Sequence, residues 1–355
     1  MSDLGVDVLL LSVGPDLPWL TGYEAMPLER LTMLVVPRDD AATLVVPRLE
    51  APRVVERREV FALTTWEETD DPIAVVAGLA GHAGVAAVGD RTWARFVLDL
   101  QAALPSTAFR RASSVVGPLR AVKDVAEVDA LRRAAAAADR VAAQLQGGQI
   151  ALVGRTEAEV SAEIGRRLRA EGHYRVNFAI VAAGEHAASP HHEPGDRVIQ
   201  PDEVVLCDFG GTLHGDDGVG YCSDITRCVW TGEPTAEAVE IYAVLHDAQR
   251  AACAAAVVGT PCEEVDAVAR RRISAAGWGD HFIHRTGHGI GIEEHEDPYV
   301  VAGNATPLEA GHAFSVEPGI YLPGRFGFRL EDIVVATADG PEELNRADHS
   351  LVGIA

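Results

Sequence analysis

Five residues with metal-ligand chemistry stand in five separate local motifs. Asp208 lies in Val204-Val205-Leu206-Cys207-Asp208-Phe209-Gly210-Gly211 and Asp224 in Tyr221-Cys222-Ser223-Asp224-Ile225-Thr226-Arg227. His288 lies in Thr286-Gly287-His288-Gly289-Ile290-Gly291, Glu317 in Ser315-Val316-Glu317-Pro318-Gly319 and Glu331 in Phe328-Arg329-Leu330-Glu331-Asp332. Four carboxylates and one imidazole form a hard, oxygen-rich donor set, suited to two divalent cations that activate water for hydrolysis. Four acids gathered in one core would otherwise repel one another, and a buried carboxylate is costly unless it is paired or bound to a cation.

Each motif has a mundane reading when taken alone. Asp208 before two glycines suits a turn cap. Asp224 sits among β-branched neighbours, where Asp is rare, so it needs a partner: Arg227 or a metal. Arg329, two residues before Glu331 and on the same face of an extended segment, is placed to orient or neutralise it. His295 follows His288 by seven residues. That odd spacing puts the two rings on opposite faces of a strand unless the chain bends, which the intervening glycines allow.

The elements that must position these residues fall into two blocks. In the first, short apolar runs at 6–11, 31–36, 43–46 and 85–88 read as strands, and 71–80 and 92–104 as helices, which predicts a small α/β domain. Gly117-Pro118 marks 113–120 as a loop and places the boundary near residue 120. The domains are thus expected at 1–120 and 121–355. The second opens on a long Ala-rich helix at 123–145, with Asp124 and Glu127 spaced as a capping box. A helix at 157–170 capped by Thr156 follows, then strands at 177–183 and 204–208, the latter ending at Asp208. Residues 221–230 read as its hairpin partner, 235–258 and 262–276 as helices, and 313–318 and 327–337 as strands. No internal repeat is evident by eye.

Bulk properties narrow the function. The chain has 355 residues, 48% hydrophobic and 23% charged, with a net charge of −23. That charge argues against sequence-independent binding to nucleic acid or to an anionic membrane, both of which need clustered Lys and Arg. Five cysteines in no zinc-like spacing suggest free thiols in a reducing compartment. The N-terminus lacks a basic n-region and no run reaches the roughly 20 apolar residues of a membrane span, so a cytoplasmic location is expected.

Taken in order, the motifs resemble the pita-bread metallopeptidases of family M24, the creatinase/methionine-aminopeptidase superfamily, and within it the Xaa-Pro dipeptidase (prolidase) and Xaa-Pro aminopeptidase branch. The resemblance covers residues 124–350 and extends to a creatinase-type N-terminal domain. It implies an α+β chain, with a C-terminal pita-bread domain after a smaller α/β domain, that cleaves the peptide bond before proline in dipeptides or short peptides, and a homodimer. It implies two divalent metal ions, with Mn²⁺ favoured by the oxygen-rich donors and Co²⁺, Fe²⁺ or Zn²⁺ able to substitute. Carried onto this chain, Asp208 chelates one metal, Asp224 and Glu331 bridge both, and His288 and Glu317 hold the second. Glu317 also takes the proton of the attacking water. His295, in a His-Glu-x-Pro context, matches the histidine near the substrate carbonyl. His191 rather than the adjacent His192 matches the upstream histidine that holds substrate.

Two departures stand out. The segment from Gly210 to Gly220 is longer than the family's usual hairpin, and its His214, Asp216 and Asp217 read as exposed loop residues. Proline-specific members follow His-Glu-x-Pro with Arg, where this chain has Tyr299. That keeps open a metal-dependent hydrolase of a small modified amide metabolite, of the ectoine or creatinase type. A catalytically inactive binding protein on the same fold is the third reading.

Overall fold

The computed structural model describes residues 1–216 and 218–354. The chain divides into two compact units, one from Met1 to Arg120 and the other from Ala121 to Asp216 and from Gly220 onward.

The first unit is built on a six-stranded mixed sheet. Its strands are β1 (Val8–Ser12), β2 (Met33–Pro37), β3 (Ala42–Pro47), β4 (Phe61–Trp66), β5 (Val85–Val88) and β6 (Ala108–Arg111), in the order β4-β3-β2-β1-β5-β6. Strand β2 is antiparallel to β1 and to β3; the other pairings are parallel. Both faces of β1 are buried, Leu9 and Leu11 in one cluster and Val8 and Leu10 in another. This explains an uninterrupted apolar run where a half-exposed strand would alternate. Helices α2 (Pro72–Ala80) and α3 (Ala94–Ala103) cover the Leu10 face, and α1 (Asp16–Thr21) and α4 (Ser113–Ala121) the Leu9 face.

Helix α4 corrects the loop expected at 113–120. Pro118 lies inside it. Burial of Val115 and Val116 against Ala112 and Leu9 outweighs the weak helix propensity of Gly117-Pro118.

The second unit contains two similar halves. In the first, α5 (Val125–Gln146) and α6 (Glu157–Ala170) precede the antiparallel strands β7 (Arg175–Ala183), β8 (Val204–His214) and β10 (Ile225–Thr231), with β9 (Gly220–Cys222) paired on β8. In the second, α7 (Ala236–Ala255) and α8 (Cys262–Ala275) precede the antiparallel strands β11 (Gly287–Gly289), β13 (Ala313–Val316) and β16 (Asp332–Thr337). Strands β12 (Glu296–Val300) and β17 (Gly340–Glu343) flank the second sheet, β14 (Gly319–Leu322) pairs with β15 (Phe326–Arg329), and β18 (Val352–Ile354) pairs with β10.

Local sequence accounts for the helix starts. Asp124 and Glu127 close a reciprocal capping box on α5, and Thr156 and Glu159 another on α6. Such caps contribute about 1 kcal/mol each. The sheet faces follow from the two-residue period of a strand. Val205, Cys207 and Phe209 of β8 pack under α5 and α6, so Asp208 points to the opposite face. Phe314 and Val316 of β13 pack with α7 and α8, so Ser315 and Glu317 point away from those helices.

Three strand expectations change. Strand β8 does not end at Asp208 but runs on to His214. Gly210 serves close approach rather than a turn: a Cβ there would come within 2.1 Å of the Ser223 carbonyl oxygen. Asp224 is not inside a strand; it occupies the break between β9 and β10. The strand expected at 327–337 likewise breaks at Leu330-Glu331. The two halves therefore present equivalent acids, Asp224 just before β10 and Glu331 just before β16. His214 is exposed and stacks on Tyr174, ring centroids 3.9 Å apart, and Asp216 is exposed and paired with Arg133 at 3.4 Å. Asp217 lies outside the described residues.

Candidate metal and active site

Asp208, Asp224, His288, Glu317 and Glu331 meet between the two sheets. Strands β13 and β16 pair Val316 with Asp332, so Glu317, one residue after, and Glu331, one residue before, leave the ladder side by side. An isolated bridge joins Thr226 to Glu331 and ties β10 to this end of β16. His288 is held by its backbone N–H donating to Ser315 Oγ at 3.1 Å. A Cβ on Gly287 would lie 1.8 Å from the Ser315 oxygen and one on Gly289 2.2 Å from the Asp297 oxygen. The Gly-His-Gly pattern is thus required by backbone packed on both sides.

His288 Nε2 lies 3.2 Å from Glu317 Oε1 and 3.9 Å from Asp224 Oδ2. Ligand atoms of Asp224, His288 and Glu331 all lie within 4.8 Å of one another. Asp208 and Asp224 each keep a buried Oδ1 with no hydrogen-bond partner. Such orphaned oxygens in a core are costly. Their presence in a cluster of four acids and one imidazole fits a site for divalent cations, and all five side chains supply donor atoms that such ions take.

The electrostatics agree. Burial, together with the charges of Glu331, Asp208 and Glu317, pushes the Asp224 carboxyl well above the ordinary range. Burial and the charges of Glu317 and Asp208 do the same for Glu331. Burial also raises Asp208, opposed by Arg329. Burial works to raise Glu317 too, but its hydrogen bond with His288 and the charges of His288, His284 and Arg329 hold it down at about 2.

Arg329 and Arg227 take partners the local motifs did not suggest. Arg329 is buried and donates to Asp208 Oδ2 at 2.5 Å, Thr226 Oγ1 at 3.1 Å, the Tyr321 hydroxyl at 3.0 Å and the Pro190 carbonyl at 3.1 Å. It therefore hydrogen-bonds Asp208, not its neighbour Glu331. Glu331 Oε2 instead accepts from Thr226 Oγ1 at 2.6 Å. Arg227 does not pair with Asp224. It donates to Asp332 Oδ1 at 2.7 Å and to the Glu331 carbonyl at 2.7 Å, bracing the backbone of a site residue from behind.

The chain does bend between His288 and His295: the rings sit 3.9 Å apart at 49°. Partial burial, with the charges of His288 and Arg285, lowers the His295 imidazole to about 4. Lys123 donates to Glu296 at 2.6 Å, a buried pair that anchors the residue after His295. His191 is exposed. His192 is turned elsewhere and bonds Glu157 at 2.8 Å.

Sequence reasoning passed over His284, Arg285 and Tyr321. His284 Nε2 bonds the Tyr321 hydroxyl at 2.9 Å. The Arg285 guanidinium lies over the Tyr299 ring, 4.6 Å from its centroid, with an N–H 3.4 Å from His295 Nδ1. The signal for His284 and Arg285 was position: they stand four and three residues before His288. All five cysteines are free and buried, and burial pushes their thiols up, Cys262 to about 11 and Cys228 to about 12. None has the depressed pKa of a nucleophilic thiolate. Among the described residues no helix is long and apolar enough to cross a membrane.

Comparison with known proteins identifies the family and the fold. Residues 129–338 match the model of metallopeptidase family M24, and residues 1–122 that of the creatinase/prolidase N-terminal domain. An Xaa-Pro dipeptidase of Lactobacillus helveticus is 36% identical over 365 residues, covering 99% of this chain and 96% of its own. The crystal structure of dipeptidase PepE from Mycobacterium ulcerans is similar at 43% identity and a TM-score of 0.92, covering 99% of this chain and 94% of that one. That of a prolidase from Thermococcus sibiricus is similar at 33% identity and a TM-score of 0.91, covering 99% and 96%. With its five ligand-type residues gathered between two sheets, the chain belongs to metallopeptidase family M24, carries a creatinase-type N-terminal domain before a pita-bread domain, and is a peptidase.

Proposed function

We propose that the enzyme is a dinuclear-metal-dependent Xaa-Pro dipeptidase that hydrolyses the bond before proline. One observation carries the metal requirement: four clustered carboxylates, three pushed upward and two with orphaned oxygens, beside a single imidazole. Proline specificity is supported by the names of the Lactobacillus and Thermococcus relatives. Asp208, Asp224, His288, Glu317 and Glu331 would hold the metals, with Mn²⁺ favoured by four oxygen donors. When bound, such a pair supplies Lewis-acid polarisation and a water of lowered pKa.

The remaining chemistry belongs to side chains. Glu317 takes the proton of the attacking water. Its carboxylate is oriented by Ser315 Oγ at 3.2 Å and by His288, and that hydrogen bonding keeps it ionised and ready to accept. His295 is neutral at pH 7 because its pKa is depressed to about 4, and it hydrogen-bonds the substrate carbonyl oxygen as charge develops there. His191 contacts the substrate from the opposite strand connection. Arg285, stacked on Tyr299, brings a guanidinium to within 3.4 Å of His295 Nδ1. It is suited to the free carboxylate of a dipeptide, and this favours dipeptidase over aminopeptidase action. Free buried cysteines fit a cytoplasmic enzyme, and the family resemblance carries the expectation of a homodimer, which sedimentation tests.

The deciding experiment is hydrolysis of Ala-Pro, Ala-Pro-Ala and Ala-Ala by chelator-treated protein, with and without added Mn²⁺. Mn²⁺-dependent cleavage of Ala-Pro, abolished by Glu317→Gln, is expected. Cleavage of Ala-Pro-Ala alone would make it an aminopeptidase. Metal binding without cleavage of any of the three would shift the substrate to a small amide metabolite.

A further inference from the structure

Away from the five ligand-type residues, one buried carboxylate gathers donors from a single irregular stretch of chain. Glu157 opens α6 and is fully buried. It accepts from the Ala183 N–H at 2.9 Å, His186 Nδ1 at 3.0 Å, His192 Nε2 at 2.8 Å and the Gly195 N–H at 3.4 Å. The His186 and His192 rings lie against each other, centroids 4.4 Å apart. Every donor falls within residues 183–195, the last residue of β7 and the start of its connection to β8, where the 3₁₀ turn Gly184–Ala188 is followed by irregular chain.

The same stretch reaches the active centre through one backbone group and continues into His191. Pro190 offers its carbonyl to Arg329 at 3.1 Å, and His191 follows it. The segment is thus gripped from one side by Glu157 and from the other by Arg329, with His191 between the two holds. Gly184 adds a third constraint. Its φ is +52°, and a Cβ there would come within 2.4 Å of Glu203 Oε2.

Glu157, His186 and His192 also have the donor types of a cation site. A carboxylate offers about four lone-pair sites, and here four N–H groups already occupy them. The arrangement is complete as a hydrogen-bonded clamp. Although burial opposes it, the backbone N–H of Ala183 and the imidazoles of His192 and His186 keep the carboxylate ionised, its pKa below the ordinary value.

We infer that Glu157 is a positioning residue for substrate binding: it clamps residues 183–195 so that His191 is presented to the active centre. This rests on the substrate-contacting role proposed for His191. Four variants test it: Glu157→Gln, His192→Ala, His191→Ala and the double variant Glu157→Gln/His191→Ala. Each is assayed for Ala-Pro hydrolysis, metal content and amide hydrogen exchange over residues 183–195. Loss of charged hydrogen bonds predicts a KM ~10-fold higher for Glu157→Gln with a smaller change in kcat. Exchange over 183–195 should quicken, metal content should match wild type, and the double variant should be little worse than His191→Ala.

Unchanged exchange over 183–195, a double variant whose losses multiply in full, or a third bound metal lost in Glu157→Gln would each overturn the clamp. If Glu157→Gln does not fold, His192→Ala, which leaves the carboxylate three donors, carries the same comparison. Wild-type kinetics in His191→Ala alone would instead overturn the role of His191, an outcome the exchange data do not depend on.

Discussion

Neutralising Asp224 should stabilise the metal-free protein and destabilise it when metal is present. The carboxylate makes no hydrogen bond within the described residues: Oδ1 is buried without a partner and Oδ2 is 3.9 Å from His288. Asp224→Asn therefore removes no protein contact of note but removes a buried charge facing Glu331, Asp208 and Glu317. Replacing a buried, unpaired charge by a neutral group of the same shape typically stabilises the fold by ~1–3 kcal/mol, and a gain of that order is expected in chelator at neutral pH. The sign follows from a raised folded-state pKa. The folded protein holds its proton more tightly than the unfolded chain, so the penalty is absent below the ordinary carboxylate range and grows as pH rises through the folded pKa. The gain should accordingly vanish in acid.

With metal at 100 times its Kd, each site adds about 2.7 kcal/mol to the wild type, and a variant that cannot hold both ions forfeits it. The assay is scanning calorimetry of both proteins in chelator and in excess Mn²⁺, with about 2–4 °C expected per kcal/mol for a domain of this size. The melting curves should exchange order between the two conditions. A variant less stable than wild type in chelator as well would refute the reasoning, because Asp224 would then be a structural hydrogen-bonding residue.

Three further outcomes follow. Arg285→Met should raise KM for Ala-Pro by ~10-fold or more, as expected for loss of a charged hydrogen bond, and leave the C-terminally amidated peptide nearly unaffected; equal effects on both would exclude a carboxylate contact. Asp332 is held below the ordinary carboxylate range although burial opposes it, by the charge of Arg227 and by His349. A lowered pKa contributes stability above the unfolded-state value that is lost as pH falls through the folded one, so Asp332→Asn should cost about 3–5 kcal/mol at pH 7 and progressively less below about pH 4 in denaturant titrations. Finally, all five cysteines are buried, and burial raises the pKa of every thiol. Native protein should resist a thiol reagent at pH 8 and react at five positions once unfolded; rapid labelling of the native state would contradict the packing.

What the sequence determined by itself was local. The capping boxes of Asp124 with Glu127 and Thr156 with Glu159 span four residues each, so their chemistry is complete within a few positions of chain. The five ligand-type residues were legible for the same reason: each sits in a short motif whose types are costly to bury without a cation. Pro118 shows the limit of such signals, since burial of Val115 and Val116 made a helix of an apparent loop. Tertiary structure alone decided the partners. Arg227 looked like the companion of Asp224 and instead reaches Asp332, 105 residues away, while Arg329 passes over Glu331 for Asp208, 121 residues away. The equivalence of Asp224 before β10 and Glu331 before β16 was hidden as well, because the halves share the direction of their strands and helices rather than their residues. A hydrogen bond forms wherever folding brings donor and acceptor within about 3 Å, and separation along the chain carries no record of which groups will meet.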